Sequence, residues 1–96
     1  MSRLYNLSVT TNNADPDLVR GVFLDEWGGE DESCYGDASS FTIYGESNLG
    51  GGETEEQAHQ RISQAIKKLC PKAKVATRWT YLENLPFNQY GDEVKE

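Results

Sequence analysis

One histidine, His59, and two cysteines, Cys34 and Cys70, are the candidate nucleophiles and proton carriers near neutral pH in this chain of 96 residues. His59 follows Ala58 in a stretch of helical periodicity, and no serine or cysteine stands at a local spacing that would make it a base for a nucleophile. The expectation is a solvated histidine on a helix surface. The cysteines lack the close spacing of metal or redox motifs, so they read as two ordinary thiols, Cys34 in a polar loop and Cys70 at a helix end. Glu30, Asp31 and Glu32 offer the carboxylate oxygens that hard cations take, but the alternating ligands, central glycine and closing glutamate of an EF-hand are missing. That run reads as a solvated acidic loop. The glycines at 28–29 and 50–52 match neither phosphate-binding glycine motif and read as connectors. The expectation is therefore a protein that is not an enzyme, with no metal and no cofactor.

Charge is sorted along the chain more sharply than chemistry is. Residues 1–60 carry two arginines against twelve acids, residues 61–82 carry six lysines or arginines and no acid, and residues 83–96 carry four acids against Lys95. The three blocks have net charges of −10, +6 and −3, making up the −7 of the whole. Phosphates demand positive charge, so an acidic balance argues against direct binding to nucleic acid. It permits the opposite, a protein that competes with nucleic acid for a basic surface. The acids Asp25, Glu26, Glu30, Asp31, Glu32 and Asp37 serve either as a solvated surface or as a mimic of a phosphate track. Trp27 and Tyr35 flank them, and aromatic anchors suit the desolvated centre of an interface. A second aromatic patch follows at 85–90.

These residues must be positioned by a small set of elements. Residues 4–11 alternate Tyr5, Leu7 and Val9 against Asn6, Ser8 and Thr10, a strand. Asp15 as N-cap and Pro16 at the first helical position open a helix that runs to about Trp27 and stops at the glycines. A short strand at 33–35, turned by Gly36 and Asp37, leads into a clearer strand at 40–46 and a flexible turn at 48–52. Thr54 and Gln57 form a capping box for a second helix, with Ala58, Ile62, Ala65, Ile66 and Leu69 as its apolar stripe. Pro71 ends that helix, and residues 75–82 alternate as the last strand. The order gives an α+β fold of ferredoxin-like βαββαβ type, an antiparallel sheet with two helices on one face. The whole, 1–96, reads as one domain, with 83–96 an irregular C-terminal arm. No apolar run reaches a membrane span and the first residues do not resemble a secretory leader, so the chain is expected to be cytoplasmic, with no membrane partner.

In size, acidity and missing catalytic residues the chain resembles the small inhibitors that bacteriophages encode against host defences, the anti-CRISPR proteins. That resemblance implies a binding protein that blocks a host defence protein or nucleoprotein complex with a basic surface, through Asp25, Glu26, Trp27, Glu30, Asp31, Glu32, Tyr35 and Asp37. The rival is a single-stranded nucleic-acid or regulatory module that stacks bases on Tyr44 and on Trp79 or Tyr81 across the open sheet face, helped by Lys72, Lys74 and Arg78. A homodimer through the aromatic sheet face is a further alternative.

Overall fold

The computed structural model describes residues 3–28, 30–81 and 87–95, the side chains of Arg3, Glu30 and Asp31 excepted. Strand β1 (Arg3–Asn12) is the centre of the molecule, because Tyr5, Leu7 and Val9 alternate onto one face and are buried there. It pairs antiparallel with β3 (Phe41–Leu49) on one side and β4 (Lys74–Tyr81) on the other. Beyond β3 lies β2 (Glu30–Gly36), and beyond β4 lies β5 (Asn88–Gly91). All four pairings in the order β2-β3-β1-β4-β5 are antiparallel.

Helix α1 (Pro16–Glu26) starts where the Asp15 carboxylate accepts the Asp17 N–H at 2.9 Å. It ends with the Trp27 and Gly28 N–H groups both returning to the Phe23 carbonyl, with Gly28 at φ +70°, a conformation that favours glycine. In α2 (Glu55–Leu69) the Thr54 hydroxyl accepts the Gln57 N–H and the Gln57 side chain accepts the Thr54 N–H, the expected capping box. Val19, Val22 and Phe23 of α1 and Ala58, Ile62 and Ile66 of α2 join Leu7, Val9, Ile43, Val75 and Trp79 in one core. The helices pack on each other, so both lie on the sheet face that carries this core. Thr10, Thr42 and Tyr44 belong to the opposite face, which the described helices leave uncovered.

Several boundaries differ from the expectations. Strand β2 is longer than residues 33–35, because register with β3 begins at Glu30↔Glu46 and, after a shift, resumes from Ser33↔Tyr44 to Gly36↔Phe41. Its turn is knit by the Asp37 carboxylate, which accepts from the Ser39 N–H, the Ser39 hydroxyl and the Ser40 N–H. Those three bonds hold the Asp37 carboxyl below the usual carboxylate range, the Ser39 side chain contributing most. Asn48 and Leu49, expected in a turn, extend β3, since Leu49 is buried opposite Arg3.

The expected irregular arm contains β5, which is corrected by its pairing of Thr77↔Tyr90 and Arg78↔Gln89 with β4. The chain beyond it is tied down by side chains distant in sequence. Asp92 accepts the Val75 N–H at 3.0 Å and pairs with Lys67 at 2.9 Å. Asn12 exchanges two bonds with the Lys95 backbone, at 2.8 and 2.9 Å. Leu82 and residues 83–86, which include part of the second aromatic patch, lie outside the described residues.

Candidate interaction surface

The expected contacts divide over three places instead of forming one patch. Asp25 and Glu26 end α1 in the helix layer, Tyr35 stands on the open sheet face, and β2 runs along the edge between them. Two of these acids form ion pairs within the protein, and a third, Asp37, is bonded within its own turn. Glu26 accepts from the Arg61 Nη1 at 2.6 Å while Arg61 also bonds the Glu26 carbonyl and both oxygens of Glu53, stapling α1, α2 and the loop before α2. These bonds, Glu53 foremost, raise the Arg61 pKa. Glu32 pairs with Arg20 of α1 at 3.0 Å, anchoring β2 to the helix layer. Asp25 and Asp37 are exposed and form no ion pair among the described residues. The side chains of Glu30 and Asp31 lie outside the described ones.

Trp27 must be removed from the contact set. It is only 7% exposed, its ring meets Trp79 edge-on at 5.2 Å, and its indole N–H donates to the Gly45 carbonyl at 3.0 Å. The cause is its spacing, four residues after the buried Phe23 on the same helical stripe. Tyr35, in contrast, is 62% exposed and lies edge-on to Tyr44 at 6.5 Å. Glu46, which the sequence reading passed over, is exposed on the same face two residues from Tyr44. Its signal was available, since the alternation of β3 puts residues 42, 44 and 46 together.

The open face itself holds a shallow trough. One depression of about 560 Å³ is lined on this face by Leu4, Asn6, Tyr44, Glu46 and Asn48 and reaches round β3 to Gly28 at the end of α1. A second, of about 210 Å³, is lined by Asn6, Ser8, Tyr44, Arg78, Thr80 and Phe87. Arg78 lies over the Phe87 ring at 5.4 Å and donates to Gln89. The expectation that Trp79 or Tyr81 stacks bases here is corrected by register: both pair with inward residues, Leu7 and Tyr5, so they face the helices. Trp79 is fully buried.

His59 is also corrected, from surface to interior. It is 5% exposed, its Nδ1 lies 2.8 Å from the Thr77 hydroxyl, and its ring stacks on Tyr90 of β5. Trp79 donates its indole N–H to the same hydroxyl, so the Thr77 oxygen joins the His59 ring and the Trp79 ring in one buried hydrogen-bonded group. Burial lowers the His59 pKa, with Asp92 and Glu56 opposing that shift and Lys67 adding to it. A neutral imidazole locked between a threonine and a tyrosine ring, on the far side of the sheet from the trough, holds structure together. Among the described residues no group of three or more His, Cys, Asp or Glu side chains is placed to hold a metal ion. No described helix is long and apolar enough to cross a membrane. No family model, curated protein or solved structure matches this chain.

Proposed function

We propose that this protein is a non-enzymatic inhibitor that sets an acidic edge against the basic surface of a host nucleic-acid-handling complex, as anti-CRISPR proteins do. The observation that carries this reading is the β2–β3 edge, where Tyr35 and Tyr44 are exposed together and Asp37 and Glu46 are exposed beside them. Exposed aromatics beside solvent-facing carboxylates, Glu46 on the open face and Asp37 bonded within its own turn, suit a partner surface of lysine and arginine, whose attraction speeds association. The chain order βαββαβ and the strand order β2-β3-β1-β4 agree with a ferredoxin-like fold, here extended by β5. In that frame β2 is an outer strand, open to a partner.

A specific observation favours the rival. Tyr44, Phe87 and Arg78 around the smaller depression are groups on which an unpaired base stacks. Glu46 at the other end of the trough opposes a phosphate backbone there.

A tagged protein retained on a column from a bacterial lysate containing CRISPR effector complexes, at low and moderate salt, separates the two readings. The inhibitor reading expects a stoichiometric nucleoprotein complex, lost in the Asp25→Lys/Glu46→Lys variant. Recovery of nucleic acid alone, or equal retention by the variant, overturns it.

A further inference from the structure

The two outer strands of the sheet differ in what they leave unpaired. Strand β5 is four residues long and the chain after it is fastened by Asp92 to Val75 and by Lys95 to Asn12. Strand β2 is seven residues long, and among the described residues no strand lies beyond it. Its ladder phase follows from the turn. The Asp37 N–H bonds the Ser40 carbonyl at 3.0 Å, so 37↔40 is a hydrogen-bonded pair. Antiparallel pairs alternate between bonded and non-bonded. Tyr35↔Thr42 and Ser33↔Tyr44 are then bonded to β3, whereas at Cys34↔Ile43 the N–H and C=O of Cys34 point away from the sheet.

Such an edge invites another strand, and proteins guard edges with charge, bulges or cover. The register shift between Glu30 and Ser33 interrupts one end, but residues 33–36 run in regular pairing and are exposed. The strand's sequence holds three acids and no base, and Asp37 follows it. That charge disfavours a second copy of β2 alongside the first and favours a cationic strand. Tyr35, standing 62% exposed on the open face, offers a ring for the side chain of the incoming strand that lies across from it.

We propose that β2 accepts an extended, lysine- or arginine-bearing segment of another protein as a sixth strand, bonded through the backbone of Cys34 and selected by the net negative charge of this edge. This deepens the inhibitor reading and rests on it: the basic partner would be engaged by strand addition. Affinity then comes from main-chain bonds and selectivity from charge, so the partner's exact side chains matter less than its extended form and its sign.

The test uses the intact protein with a probe peptide of about ten residues alternating lysine and threonine, long enough to span β2, and a twin carrying glutamate in place of lysine. Backbone amide exchange read by NMR should show Cys34 slowed about tenfold or more by the lysine peptide, with Ser33 and Tyr35, already bonded to β3, little changed and the glutamate twin without effect. Cys34→Pro removes the outward N–H while keeping the inward ladder, and it should weaken peptide binding about tenfold or more with unfolding still cooperative. Exchange on the unsubstituted protein decides the matter even where Cys34→Pro fails to fold. Peptide binding that leaves Cys34 exchange unchanged, or a folded Cys34→Pro that binds as before, overturns strand addition while leaving the acidic-surface reading intact. Protection of Cys34 that grows with protein concentration in the absence of peptide overturns it in favour of a second copy. No binding of the lysine peptide by the unsubstituted protein also overturns strand addition, and equal retention of the effector complex by Asp25→Lys/Glu46→Lys would overturn the inhibitor reading separately.

Discussion

The two sides of the sheet spend their polar groups differently. At the β4–β5 side the Thr77 hydroxyl serves both His59 and Trp79, Tyr90 covers His59 and donates to Glu55, and Asp92 serves both Val75 and Lys67. Polar side chains there are consumed by the fold. At the β2–β3 side Glu32 is anchored and Asp37 is bonded within its turn, but Glu46 and the Tyr35–Tyr44 pair face solvent. Net charge alone therefore misleads about where a partner would sit. The sharply basic block of the sequence closes on internal acids at Arg61 and Lys67, and the acidic block keeps part of its charge free on the surface.

Breaking the consumed side should cost the most stability. Trp79→Ala, at a fully buried ring packed by Tyr5 and Trp27, should lower unfolding free energy by about 3–5 kcal/mol in urea denaturation. Thr77→Val keeps the shape but strands the indole N–H and the imidazole, and should cost about 1–3 kcal/mol by the same measurement. A smaller loss should appear with pH. The folded His59 pKa lies below its ordinary 6.5, so the unfolded chain takes up the proton first. Stability is then complete above about 6.5 and falls as pH drops through the folded value, and His59→Gln should flatten that slope in thermal melts between about pH 7 and 5. Asp92, held low chiefly by the Val75 N–H, adds a further loss only below its ordinary 3.8. Away from these groups, Asp25→Lys at the end of α1 combined with Glu46→Lys on the open face should move unfolding free energy by no more than about 0.5 kcal/mol, because both groups are exposed.

Local signals in the chain identified the elements whose reasons are local. Asp15 with Pro16, the Thr54 and Gln57 capping box, and the alternation of β1 and β4 each involve neighbours within a few residues, and each stands in the structure as expected. Strand β2 was harder to see because, as an outer strand, it commits Cys34 to the helix face between exposed polar residues and shows no apolar alternation. Strand β5 depends on bonds that join residues far apart in sequence, and on Gly91 at φ +100°, where a Cβ would collide with His59 and the Val75 carbonyl. The position of His59 was misjudged by choosing the stripe through Ala65 and Leu69. The buried stripe keeps the expected 58, 62 and 66 but widens to 59 and 63 and leaves Leu69 exposed. Trp27 carried the same kind of signal, four residues after Phe23, and its place next to acids in sequence said nothing of its place in space.

The most direct test of the central claim is a paired measurement on Asp25→Lys/Glu46→Lys, with urea unfolding and retention of nucleoprotein complexes from the same preparation. The account predicts an unfolding midpoint close to that of the unsubstituted protein together with loss of the retained complex. Undiminished retention by a variant that is equally stable would contradict it, and would place recognition on the trough around Arg78 and Phe87 or elsewhere on the chain.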